Sequence, residues 1–264
     1  VPMRFVYLCL ALALVAATAP ASAQEADRVY SPYAGRNYPD RVLFGDTHLH
    51  TRASFDAGTL GTSLSVDDAF RFARGEKVLS NTSQPVQLVR PLDFLAVTDH
   101  AEMLALATML QRGDPLLLAD PWGKSAYERF KSGIEGRQAL FAEMIRLGTV
   151  ERREPFRNPE AARTVWKEIL ATADAYNQPG RFTTLTGFEW SSTPKGDNLH
   201  RIVLFADGAD KTSQILPFSM FDSENPEDLW KFLAAYEART GGRAISPAHN
   251  GNLSNGLMLL DKSF

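Results

Sequence analysis

The sequence predicts an α/β fold with a largely parallel sheet and crossover helices. Short apolar runs alternate along the chain with longer segments of helical period, which is the pattern such sheets produce. At 264 residues and 44% apolar content the chain can fill one large core. No internal repeat, low-complexity tract or Gly/Ser linker divides it, so residues 41–264 read as one domain with a helical insertion at about 101–160.

Taken in order, Met3 and Arg4 precede an apolar run at 6–17, and Ala21-Ser22-Ala23 follows. Residues 1–23 therefore read as a secretory signal peptide cleaved near Ala23, which makes the protein secreted or periplasmic. The run is too short to cross a hydrocarbon layer of roughly 30 Å, so no stable membrane span is expected. Cys9, the single cysteine, lies inside this segment, leaving the mature chain without disulfides or thiolate chemistry. Residues 24–40, with Pro32, Gly35 and Pro39, read as an extended lead-in.

The first strand is expected in 41–50, where apolar residues give way abruptly to Asp46-Thr47-His48-Leu49-His50. A helix follows over 65–75, with Ser65 as N-cap, acids in its first turn and Gly75 at its stop. Further strands are expected at 93–100, 182–190, 201–205 and 243–246. Helical segments fall at 161–176 and 226–239, the latter with Trp230, Phe232, Leu233 and Tyr236 on its apolar side. The net charge of -3, without long runs of either sign, gives no indication of a nucleic-acid partner.

The five histidines, at 48, 50, 100, 200 and 249, each stand beside an expected strand end. In a strand, alternate residues face one way, so His48 and His50 can serve one metal. Asp99 and His100 close the buried run at 94–97; there Asp99 is either a ligand and catalytic group or the cap of a helix starting near Ala101. Glu189 sits where a carboxylate is costly to bury unless a cation or donor lies beside it. Mixed nitrogen and oxygen donors suit divalent Zn, Mn or Fe, and more than four candidate ligands point to two or three ions.

With these motifs in view, Gly45-Asp46-Thr47-His48-Leu49-His50-Thr51, Thr98-Asp99-His100-Ala101-Glu102 and Pro247-Ala248-His249-Asn250 resemble the polymerase and histidinol phosphatase (PHP) superfamily, in a secreted branch. That resemblance implies a distorted (β/α)7 barrel, a trinuclear metal centre and hydrolysis of small-molecule phosphoesters. It implies metal ligation by His48, His50, His100, Glu189, His200 and His249. By resemblance alone it adds Asp56 as an oxygen ligand. The family's late Asp-x-His has no counterpart after His249, so a barrel lacking its C-terminal part is expected.

The chemistry then expected is attack on phosphorus by a water that metal ions make acidic. His200 or His249, if free of metal, would orient or protonate the leaving oxygen. Arg201, Asn250 and Asn252 are candidate substrate contacts. Two other readings stay open: hydrolysis of amides or lactones at the same metals, and a non-catalytic metal- or carbohydrate-binding module.

Overall fold

The computed structural model describes residues 41–259. The proposed signal peptide, the lead-in and residues 260–264 lie outside the described residues.

Seven strands are described: β1 (Gly45–Asp46), β2 (Val78–Leu79), β3 (Pro85–Val86), β4 (Phe94–Ala96), β5 (Thr183–Trp190), β6 (Arg201–Phe205) and β7 (Ala244–Ile245). The helices are α1 (Phe55–Leu60), α2 (Val66–Ala73), α3 (Leu106–Arg112), α4 (Pro115–Ala119), α5 (Pro121–Lys131), α6 (Ile134–Thr149), α7 (Pro159–Tyr176), α8 (Ala209–Thr212) and α9 (Pro226–Thr240). The central sheet has the order β1-β4-β5-β6-β7, while β2 and β3 form a separate hairpin that the sequence reading did not anticipate.

The sheet is mixed, which corrects the expectation of a largely parallel one. Strands β1, β4 and β5 are parallel, but β6 runs against β5 and β7 against β6. The cause lies in the connection at 191–200, which holds only the 3-10 turn Pro194–Gly196. A parallel return needs a crossover of roughly a dozen residues or more, usually a helix. The short link therefore turns the chain back on itself.

Local signals explain the helices. Ser65 caps α2 through a reciprocal pair: its hydroxyl accepts the Asp68 N–H at 3.2 Å and its own N–H donates to the Asp68 carboxylate at 2.9 Å. α7 begins with Pro159 after Asn158, whose side chain accepts the Ala161 N–H at 3.0 Å. It buries Val165, Trp166, Ile169, Leu170 and Ala173, a single stripe at helical spacing. In α9 the buried residues are Pro226, Leu229, Leu233 and Tyr236. Trp230 is instead 48% exposed, so the expectation that it faces the core is corrected. Its ring covers the Arg201 guanidinium.

No helix begins near Ala101. Residues 101–105 form a turn in which Met103 and Ala105 have φ of 52° and 81°, and α3 starts only at Leu106. The turn is anchored at its start: the Ala101 N–H donates to Glu189 O at 2.8 Å, and the Glu102 carboxylate is buried.

The two faces of the sheet differ. Leu95, Val97, Phe188, Trp190, Val203 and Phe205 pack with the helices in one large core. The alternate residues Ala96, Ile202 and Leu204, with Leu185, form a small separate cluster that contains no helix residue. Among the described residues the sheet is open, running from β1 to β7 without closure. No helix among them is long and apolar enough to cross a membrane.

Candidate metal centre

The reversal of β6 matters for chemistry. Because β1, β4, β5 and β7 share one direction, the segments after their C-terminal ends lie at one edge of the sheet, and the start of the oppositely directed β6 lies there too. His48 and His50 follow β1, His100 follows β4, Glu189 stands near the end of β5, His249 follows β7 and His200 precedes β6. Pairing of β4 with β5 continues beyond Ala96, since the Glu189 N–H donates to Asp99 O at 3.0 Å and His100 bridges to Glu189. That register sets His100 beside the carboxylate.

Glu189 is 1% exposed and is the hub of the cluster. One oxygen, Oε2, lies 3.1 Å from His48 Nε2 and 2.7 Å from His50 Nε2. The other, Oε1, lies 2.7 Å from His200 Nδ1 and 2.8 Å from His249 Nε2. His100 Nε2 is 3.7 Å from Oε2. Asp56, at the start of α1, lies 3.2 Å from His50 Nδ1 and 3.5 Å from His100 Nε2. All seven ligands expected from the sequence therefore converge.

They do so as three overlapping groups whose donor atoms lie within 4.8 Å of one another: His48, Glu189 and His249; His50, Asp56 and His100; His100, Glu189 and His200. The donor set fits hard-to-borderline divalent ions, with imidazole nitrogens and carboxylate oxygens and no sulfur. A buried carboxylate ringed by imidazoles is also what such a site needs to offset ion desolvation.

The electrostatics follow from this crowding. Burial opposes ionisation of Glu189, but hydrogen bonding with His200, His249, His48 and His50 outweighs it and holds the carboxyl far below the usual range. Asp56 is held low in the same way, burial being overcome by His100 and His50. Burial disfavours the charged form of His50, yet its bonds with Asp56 and Glu189 lift it to about 9. His100 rises to about 10 against the same opposition, through Asp56 and Glu102.

Other expected residues sit elsewhere. The Asp99 carboxylate accepts the Thr51 N–H and, at 2.8 Å, the Thr51 hydroxyl, so it fastens the loop behind His50 rather than joining a ligand group or capping a helix at Ala101. Burial pushes its carboxyl up. Arg201 pairs in register with Trp190 on the face packed with helices, and its guanidinium donates to Met258 O at 2.8 Å. Asn250 takes a left-handed conformation, φ 57°, to cap the short turn Gly251–Leu253, and Asn252 is exposed within that turn. Neither asparagine belongs to a ligand group.

Residues not singled out from the sequence complete the surroundings. Ser54 Oγ lies 3.2 Å from His50 Nδ1 and accepts the His100 N–H at 3.2 Å, linking two candidate ligands. Ser191 and Glu102 meet His100 Nδ1 from the other side. Each stands two residues after a candidate ligand, and Glu102 also closes the motif Thr98–Glu102.

Residues 37–263 match a family described as a protein of unknown function, DUF3604. The chain belongs to the DUF3604 family. No curated protein and no solved structure matches it. In this DUF3604 chain the clustered imidazoles and carboxylates are the feature that bears on function.

Proposed function

We propose that this chain is a metal-dependent hydrolase, acting on small phosphoesters through two or three divalent ions. The observation that carries the reading is the meeting of five imidazoles, Asp56 and Glu189 in one cluster at one sheet edge. An α/β sheet keeps its chemistry at that edge. The side chain of His48 is 37% exposed while the other ligands are more buried, so a substrate approaches from the His48 side.

His48, Glu189 and His249 would hold one ion, His50, Asp56 and His100 another, and His100, Glu189 and His200 a third. Bound there, divalent ions supply Lewis acidity toward water and the substrate's oxygens. The protein holds the imidazoles in place, since Thr51, Ser54 and Asp99 brace the His48–His50 loop. His200 and His249 flank Glu189 on its other oxygen and are the imidazoles placed to pass a proton to a leaving group, where metal does not claim them.

A PHP-like barrel belongs to the same proposal. It is supported by the one-sided distribution of helices and by small residues on the other face. Gly187 there approaches Val203 O so closely that an added Cβ would lie 2.4 Å from it. Export through the segment at 1–23 is likewise proposed from its sequence.

The test pairs metal analysis of the purified protein with a panel of phosphomonoesters, phosphodiesters, amides and lactones. Stoichiometric Zn, Mn or Fe with turnover of a phosphoester, both lost in His48→Ala and His100→Ala, is expected. Retention of metal and activity in both variants would overturn the site; turnover of amides or lactones alone would overturn the substrate class.

A further inference from the structure

Glu102 is a buried carboxylate, 1% exposed, to which the proposed hydrolysis assigns no role. Its Oε1 accepts the N–H of Ser191 at 3.1 Å and that of Met220 at 2.8 Å. Its Oε2 has no hydrogen-bond partner among the described residues and lies 3.5 Å from His100 Nδ1. The Ser191 hydroxyl contacts the same nitrogen. The opposite ring nitrogen, Nε2, faces Asp56 at 3.5 Å and Glu189 at 3.7 Å.

A neutral imidazole offers a lone pair at Nε2 only when its proton sits on Nδ1, and that proton needs an acceptor. His100 is the imidazole that two of the three ligand groups share. Glu102 stands at the start of the turn at 101–105, two residues after His100, ahead of the left-handed Met103 and Ala105. A carboxylate satisfying two backbone donors could do so anywhere; this one leaves its free oxygen toward the outer nitrogen of a candidate ligand.

We propose that Glu102 is the positioning residue of the metal centre: with Ser191 it accepts the hydrogen bond of the His100 Nδ1–H and so fixes the tautomer whose Nε2 lone pair would face an ion. The inference rests on the metal-centre reading. It adds that occupancy of the groups containing His100 is set by a residue that touches no ion. It also ties the ring to two distant segments, the end of β5 through Ser191 and the turn before α9 through Met220.

Glu102→Gln separates this from a purely structural role. The amide oxygen would stay with the two backbone N–H groups, because turning the NH2 toward them would set donor against donor. The NH2 then faces His100 Nδ1, which must accept, and the ring proton moves to Nε2 where it blocks ligation. The experiment strips wild type, Glu102→Gln and Ser191→Ala with a chelator, then titrates Zn2+ and Mn2+ while counting ions bound per chain. Melting of the metal-free proteins is followed in parallel.

The expected result is a Gln variant that melts like wild type without metal, yet binds at least tenfold more weakly, or with fewer ions, at the sites sharing His100. The group of His48, Glu189 and His249 should still fill. If Glu102→Gln does not fold, Ser191→Ala carries the test, since it keeps the backbone bond to Glu102 and loses the hydroxyl; it should also bind more weakly. Unchanged ion number and affinity in the folded variants would overturn the role of Glu102 alone. A wild type that binds no ion would overturn the metal centre, and this inference with it.

Discussion

The Nε2 atoms of His48 and His50 lie 3.1 Å apart, and both face the same oxygen of Glu189. Ring nitrogens at that distance repel unless a proton or a cation stands between them. His50 itself is lifted to about 9 by its bonds with Asp56 and Glu189, against the opposition of burial.

Cation binding should therefore compete with protons. Neighbouring carboxylates lift His50 to about 9 and His100 to about 10, so at neutral pH an ion should displace protons from both, and affinity should rise with pH until those values are passed. Calorimetric titration of Zn2+ in buffers of different ionisation enthalpy should show net proton release near pH 7. Binding independent of pH between 6 and 9 would contradict it.

Metal should also stabilise the fold. An ion at roughly a hundred times its dissociation constant adds about 2.7 kcal/mol, which for a domain of this size moves Tm by about 5–10 °C. Thermal melts of chelator-treated and reloaded protein check the shift, and Glu189→Gln should abolish it.

Gly58 lets α1 carry Asp56 into the site. A Cβ at that position would lie 2.2 Å from Arg52 O and 2.8 Å from Ala107 Cβ, contacts that backbone and core cannot both relieve. Gly58→Ala should cost about 1–3 kcal/mol of stability. It should also weaken metal binding by moving Asp56, which chemical denaturation with metal analysis would reveal.

Glu154 stands at a cavity of about 420 Å³ lined by Leu216, Phe218 and Phe232. Burial pushes its carboxyl from the usual 4.5 to about 7, with Arg157 opposing and Asp222 and Glu102 adding to the rise. A group whose folded value is raised contributes stability below its unfolded value and loses it as pH climbs to the folded one. Glu154→Gln should therefore match wild type near pH 4.5 and exceed it by up to about 3 kcal/mol at pH 8. Denaturation at the two pH values reads the difference; equal stability at both would refute it.

Much of the fold was legible where the signal is local. The capping pair of Ser65 and Asp68 spans one turn and needs no distant partner. The strand at 201–205 and the helices starting after Asn158 and Asn225 carried their own punctuation. The paired β2 and β3 went unseen because each holds only two residues, too few for a periodic pattern. Helix α1 at Phe55–Leu60 is similarly short.

The site divided along the same line. Histidine positions at strand ends could be read directly, and all five imidazoles meet. Asp99 was ambiguous because an aspartate can ligate, cap or brace a loop, and only its contact with Thr51 decides among these. Glu102 carries its meaning in a turn with two left-handed residues, a conformation that no periodicity announces.

By itself the sequence determined which donors exist and that the histidines and Glu189 fall beside strand ends, since residue type and short-range period specify both. Only the tertiary structure decided that β6 runs backward, bringing His200 to the edge held by His50, His100 and His249, and that the two oxygens of Glu189 divide four rings between them. Strand direction depends on how long a link must be to cross the sheet, and a shared carboxylate on register between strands far apart in the chain; neither is stored in any one stretch of residues.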